Sequence, residues 1–382
     1  MKGLGPILTE AREARGLLTS ELAEKLGVRR ETIYRWERGE NAIPTDSFED
    51  ILRVLDVPAK FFQIEPLPPS LAPIFYRSLP SVRRASEVRK AERRLNWLRE
   101  IVAGIERFVE FPEPRLGSFE GPSDPVDIPV STIEEQAREL RRVWDLGDGA
   151  ITAIPLLMDN AGIVVSRNHL GVRAIEAFSQ PGFRGTRPVV ILANDGASPA
   201  HTQADCAHEL GHLILHSRID KRHIFDRERY RLMEQQAWRF GRAFLLPANT
   251  FKASVRIATL DGFTPLKLSW FTSIALMIKR AEDIGLIDKT TARHLWIQRQ
   301  QRRWAKVEPF DDAIVVERPR LLQEAVDELL SGGALLVRNW LDGQRLGIRD
   351  IANYTDADPQ PLIRASTMVE PIRPKLRVAA TG

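Results

Sequence analysis

Cysteine is almost absent from this 382-residue chain. The single one, Cys206, excludes an internal disulfide and any zinc site built from several thiolates, and it reads as a small packing residue rather than a nucleophile. Long apolar runs are missing too. Nothing approaches the roughly 18 residues of a membrane span, and the N-terminus lacks the charged and then apolar layout of a signal peptide. A cytoplasmic protein with no membrane partner is therefore expected. Neither sign of charge dominates: a net +4 over this length says little about partners, and its distribution says more. The length allows two or three domains and a sizeable core.

What is present centres on AHELGHLILH, Ala207 to His216. On a helix, residues four apart lie one turn above each other on one face, so His208 and His212 can reach one metal ion. Glu209 then stands beside the metal, where a carboxylate can accept a proton from activated water, the chemistry of zinc-dependent amide hydrolysis. A tetrahedral catalytic zinc takes a third protein ligand. His216 lies about 12 Å from His208 along a continuous helix, too far for bonds of about 2 Å to one ion. Glu234 is better placed. It opens the helical pattern EQQAWRFGRAFLLP, in which Glu234, Ala237, Gly241 and Leu245 share a face, and the small Ala237 and Gly241 would let this helix approach the first. The alternative is an exposed glutamate at a helix start, where negative charge suits the dipole. One Zn2+ per chain is expected. His169, His201, His223 and His294 are read as ordinary polar residues; His201, just before the metal helix, is the candidate transition-state donor.

From Leu8 to Phe62 the pattern is of short helices with tight turns. Thr19, Ala23, Gly27, Ile33 and Trp36 have helix-turn-helix spacing: Ala23 is small where two helices cross, Gly27 permits a turn at φ > 0, and Ile33 with Trp36 anchors the second helix. Arg29, Arg30, Glu31, Thr32 and Arg35 would then face the major groove of a double-stranded DNA operator. The stretch LTSELAEKLGVRRETIYRWERGENAIP resembles the lambda-repressor-like Xre family through nearly the whole domain. It departs at Thr19, where that family usually has a phosphate-contacting glutamine. Residues 1–65 also carry ten basic against twelve acidic groups, so non-specific DNA binding should be poor.

A proline-rich hinge, PLPPSLAP, leads into a basic stretch from Arg77 to Arg99 that includes Arg83, Arg84, Arg89, Lys90, Arg93 and Arg94. It would either help hold phosphate or be a solvated face. Within it Val88, Ala91, Leu95, Leu98, Val102, Ile105 and Val109 are spaced three and four alternately, the seam of a homodimeric coiled coil or of a helix packed on its own peptidase domain. Helices are expected at 132–143 and 348–354 and another ending near Leu330, and buried strands at GIVVS (162–166) and PVVILAN (188–194). The last dozen residues, with Pro371 and Pro374, read as a frayed tail.

The marks EAFS, RPVVILAN, AHELGHLILH, EQQAWRFGRAFLLP and LSWFTSIALMIKRAEDIGLI resemble the ImmA/IrrE family of metallopeptidases, from about Phe75 to Pro309. The resemblance implies a gluzincin-like fold with His208, His212 and Glu234 on zinc, Glu209 as base, and a function in switching transcription, often by cleaving a repressor. His201, Gln203 and Ala204 stand where that family usually has arginine and phenylalanine.

The expected fold class is multidomain: an all-α helix-turn-helix domain followed by a mixed α+β zincin-like metallopeptidase domain. The expected division is 1–65 helix-turn-helix, 66–125 hinge and connecting helix, 126–310 peptidase, and 311–382 a small C-terminal module and tail. The expected function is a DNA-binding regulator whose zinc endopeptidase cuts a partner repressor. Its alternative is a non-proteolytic repressor whose zincin-like domain senses a ligand or metal, and a third reading makes the N-terminal domain a docking module.

Overall fold

The computed structural model describes residues 3–77, 84–168, 175–183, 185–193, 199–315 and 317–368. Arg83, His169, Asn194 and the tail with Pro371 and Pro374 lie outside them. Helices α1 Gly5–Ala14, α2 Thr19–Leu26, α3 Arg30–Glu37 and α4 Thr45–Leu55 form the N-terminal bundle. Gly27 ends α2 at φ 64°, as its place in the motif requires, and Ala23, Ile33 and Trp36 are buried where the helices cross.

A two-residue strand, β1 Phe75–Tyr76, and the long helix α5 Ala85–Ile105 follow. Then come α6 Val130–Val143, α7 Ile154–Asn160, β2 Val164–Asn168, β3 Ala177–Gln180, β4 Val189–Ala193 and α8 Pro199–Leu215. Beyond these lie α9 Lys221–Phe225, α10 Arg227–Leu245, α11 Ala248–Ser254, α12 Leu260–Trp270, α13 Ile274–Asp283 and α14 Lys289–Gln301. The chain continues through α15 Leu321–Ser331, α16 Ala334–Asp342, α17 Ile348–Thr355 and α18 Pro359–Thr367. Among the described residues no helix is long and apolar enough to cross a membrane.

The strands form one sheet in the order β1-β3-β4-β2, with β2 parallel to β4 and the other pairs antiparallel. Both expected strands are present, the first displaced from 162–166 to Val164–Asn168 and the second at Val189–Ala193. β1 and β3 were not expected as strands; the EAFS stretch that forms most of β3 alternates too briefly to carry a strand signal. The sheet is buried on both faces, which is why β4 and the entry to β2 at 163–165 read as apolar, β-branched runs. Val164, Phe178, Val189 and Ile191 enter one core, and Ile163, Val165, Ala177, Val190 and Leu192 enter the other.

The second core is that of α6 to α8 and α10 to α14. The first joins the N-terminal bundle, α5 and α15 to α18 into a single cluster. The seam on α5 is spent here. Ala91, Leu95, Leu98, Val102 and Ile105 are buried within the chain, against α1 and its neighbours rather than against a second copy. The basic stretch is a docking face as well. Arg89 and Arg93 pair with Glu13, each at 3.0 Å, and Arg94 donates to the Ala14 carbonyl at 3.2 Å. Arg345, near α17, closes the cluster by pairing with the buried Glu10 at 3.2 Å and the half-buried Glu100 at 2.7 Å, while Trp97 donates to Glu10 at 2.9 Å.

Because the seam is internal, Leu98→Ala should lower stability by roughly 2–5 kcal/mol in chemical denaturation. The folded variant should sediment as the parent does. Asp159 on α7 accepts from the backbone N–H groups of Arg320 at 2.6 Å and Leu321 at 3.0 Å, at the start of α15. Burial lifts its carboxyl to about 7 against those bonds. The folded pKa lies above the unfolded one, so the stabilising contribution is complete below about pH 4 and is lost as the pH climbs through about 7. Asp159→Asn keeps an acceptor oxygen, and its Tm should fall less than the parent's between pH 5 and 8.

Candidate metal centre

Helix α8 is apolar on nearly every side, and from Ala204 to His216 each residue is buried, so its polar side chains must be satisfied within the protein. It lies against α10 at very short range. A Cβ on Gly211 would sit 2.8 Å from the Ala237 Cα, and one on Gly241 would sit 3.1 Å from the Ala207 carbonyl carbon. Ala237 and Gly241 thus do what their size suggested, and Gly211 supplies the matching gap on α8. The close approach carries Glu234 to the histidines.

Glu234 does not open a helix. Asp226 caps α10 by accepting from Glu228 and Arg229, and Glu234 lies two turns further on, so the reading of it as a helix-start residue is corrected. One oxygen each from Glu234 and one nitrogen each from His208 and His212 lie within 4.8 Å of one another. The His212 Nε2 atom is 3.1 Å from His208 Nε2 and 3.1 Å from Glu234 Oε1, and His208 Nε2 is 3.5 Å from Glu234 Oε2. Ligands at about 2 Å around a tetrahedral ion stand roughly 3.3 Å apart, so the donor set fits zinc in type and spacing.

His216 does not join this set. Its Nδ1 lies 3.0 Å from His212 Nδ1, and its Nε2 lies 3.0 Å from the Gln236 Oε1 atom. The Gln236 Nε2 group donates to the carbonyls of Pro125 at 2.8 Å and Ile128 at 3.3 Å, which turns its oxygen toward His216. His216 Nε2 must therefore donate, its Nδ1 must accept, and His212 Nδ1 must carry the proton. The lone pair of His212 Nε2 is left facing Glu234 and His208, as a metal ligand needs. Burial, reinforced by His212, holds both His208 and His216 well below the usual histidine range.

Glu209 is fully buried beside the cluster. Neither of its oxygens, nor the Ser179 hydroxyl nearby, meets hydrogen-bond geometry with a described partner. Burial pushes its carboxyl up to about 7 against the pull of His212 and Ser179. A carboxyl of that kind is matched to moving a proton near neutral pH.

His201 stands two turns before His208 on α8, about 10 Å along the axis, and the cation beside Glu209 is instead Arg77. Its guanidinium pairs with Asp205 and with Glu176 at 3.1 Å, and lies 5.2 Å from the centre of the Trp238 ring, which packs on His208. Phe75 stacks on His212 with centroids 4.7 Å apart and planes 7° apart. Neither residue was singled out from sequence, because no local pattern ties Phe75 and Arg77 to a helix more than a hundred residues away. His223 is buried near Asp124, at 3.6 Å, and His294 is exposed, so neither joins the centre. Cys206 is fully buried on α8 as a packing residue.

At the other end of the chain, Arg29, Arg30, Glu31 and Arg35 are exposed on and just before α3, and Thr32 is half-buried. Tyr34 adds an exposed ring that the sequence reading passed over. The Arg30 side chain lies 5.1 Å from its centre and donates to its hydroxyl at 2.8 Å.

Two families match the chain. Residues 158–258, which hold His208, Glu209, His212 and Glu234, match the IrrE N-terminal-like domain of a peptidase family, and residues 8–62 match a helix-turn-helix family. No curated protein and no solved structure matches. The chain therefore carries an Xre-like helix-turn-helix domain ahead of a domain of the ImmA/IrrE peptidase family.

Proposed function

We propose that this DNA-binding regulator is also a zinc endopeptidase that cuts a partner protein, a repressor, and so links proteolysis to transcription. The observation that carries the reading is the convergence of two imidazoles and a carboxylate at metal-ligand spacing, with an unpartnered carboxylate beside them. His208, His212 and Glu234 would hold the ion. When bound, zinc supplies Lewis acidity, which polarises a peptide carbonyl and brings the pKa of water to near 7. Glu209 would take the proton from water and return it to the leaving amine, a transfer suited to a carboxyl lifted to about 7. Gln236 and His216 would hold the His212 ring in its ligating tautomer. Arg29, Arg30, Glu31, Thr32 and Arg35 would read operator DNA, with the arginines donating to guanine and Glu31 accepting from cytosine.

One observation favours a second reading. His208, Glu209 and His212 are fully buried, and a sealed centre also suits a sensor that binds metal and cuts nothing.

Metal analysis of the full chain should give one zinc per chain. Glu234→Ala should lose it, whereas His216→Ala should keep the stoichiometry at saturation with affinity about 10–100-fold weaker. Glu209→Gln separates the two readings, because it retains the ligands and removes the proton acceptor. It should bind zinc and DNA as the parent does, leave the partner repressor full length and hold a reporter uninduced. Normal induction by this variant, with zinc verified, would overturn the endopeptidase reading and leave the sensor.

A further inference from the structure

β1 is a strand of two residues on the outer edge of β3, and nothing in its own length makes it stable. Phe75 pairs with Ser179 and Tyr76 with Phe178, and the Arg77 N–H donates to the Ala177 carbonyl at 2.8 Å. Side chains alternate along a strand, so Phe75 and Arg77 both point to the face on which α8 packs, and Tyr76 points to the other. Phe75 covers the His212 and His216 rings and completes a small cluster with Ile219, Ile224, Tyr230 and Met233. Arg77 fills an acidic slot made by Asp205 and Glu176 under the Trp238 ring. On the far side of the strand, the Tyr230 hydroxyl accepts from the Tyr76 N–H at 2.9 Å and donates to the Tyr76 carbonyl. The segment is thus threaded between the sheet edge and α10, over the candidate metal centre, and the centre beneath it is closed to solvent.

An endopeptidase must take its substrate as an extended chain that lays main-chain groups beside the catalytic residues. A sheet edge adjoining the centre provides such a rail, and added peptides pair with an edge of this kind. The β3 edge is the strand that faces Glu209, through Ser179, and Phe75 to Arg77 occupy it. The stretch before β1 is rich in proline, with Leu71 exposed. A cavity of about 470 Å3 lined by Pro69, Ala72, Pro73, Ile74, Val88 and Phe225 adjoins β1 at Tyr76.

We infer that the outer edge of β3 is the peptide-binding rail of this domain, and that Phe75–Tyr76–Arg77 is a built-in occupant whose pattern reports the substrate class. That class is an extended segment with an aromatic residue and, two positions on, an arginine. The aromatic seats on the His212 ring and the guanidinium in the slot of Asp205 and Glu176. The inference rests on the endopeptidase reading for the word substrate, but the rail and its occupant can be tested by binding alone.

The probe is a fluorescent peptide with the sequence Ala72 to Arg77, APIFYR, titrated by anisotropy against full-length protein carrying Glu209→Gln; the control peptide replaces its Phe and Arg with Ala. Arg77→Ala weakens only the built-in occupant and leaves its slot intact, so it should tighten APIFYR binding by about tenfold; Tyr230→Phe removes a clamp that occupant and probe share, and should leave the affinity about unchanged. In a Tyr76→Cys, Phe178→Cys pair, opposed across a non-hydrogen-bonded position, oxidation should abolish binding and a non-chelating reductant should restore it. Unchanged affinity in Arg77→Ala, equal binding of the control peptide, or equal binding by the oxidised and reduced pair would each overturn the inference. Binding without cleavage when Glu209 is restored would leave the rail standing and remove the proteolysis.

Discussion

Two helices can bring a carboxylate to a pair of imidazoles only where their side chains do not hold them apart. The crossing of α8 and α10 is lined by Ala207, Gly211, Ala237 and Gly241, and the backbones meet there with no room for an added methyl group at Gly211 and only a tight fit for one at Gly241. The rest of the centre depends on this contact. It sets the distance from Glu234 to His208 and His212, and it also carries Gln236, two residues on, to His216. Such close packing is intolerant of enlargement because the neighbours at the crossing are backbone atoms, which cannot swing aside as a side-chain end can.

Burial then makes the hydrogen-bond polarity of the centre directional. A buried polar group without a partner is costly, so each donor in the chain from Gln236 to His212 must meet an acceptor. Two carbonyls, of Pro125 and Ile128, orient the Gln236 amide, and from there the proton positions follow without choice. Among the buried polar atoms left without a hydrogen-bond partner, Nδ1 of His208 and both oxygens of Glu209 lie at the candidate centre. That is where unpaired polar atoms have a use.

The sheet places this centre next to the DNA-binding end. One face of the sheet packs on the core that holds α8, and the other packs on the core shared by the N-terminal bundle, α5 and α15 to α18. Arg15 holds Asp350 through two bonds at 2.7 and 2.8 Å, and Arg345 ties Glu10 to Glu100, so the two ends of the chain are joined by charge as well as by apolar contact. On the sheet edge, Tyr76 of β1 packs in the same cluster as α5, and its hydroxyl donates to Glu92 on α5 at 3.3 Å. A displacement of β1 would therefore be felt at α5 and, through it, at α1.

Several features were legible in the residues alone because they are local. Ala23, Gly27, Ile33 and Trp36 mark the helix-turn-helix through spacings shorter than two turns, and His208, Glu209 and His212 share one turn of one helix. The apolar runs at the entry to β2 and in β4 announce strands buried on both faces, and the small residues of α10 announce a close crossing. What only tertiary structure decided involves partners far apart in the chain. The seam on α5 is regular enough for a coiled coil, and periodicity cannot say whether the partner is a second copy or α1 of the same chain. The appended C-terminal helices carry no motif, yet their apolar faces complete the core of the N-terminal bundle. His216, the Gln236 amide, Phe75 and Arg77 acquire their positions through contacts across 20 to 160 residues of sequence. Side-chain satisfaction over such separations is set by how the whole chain packs, and no window along the sequence contains it.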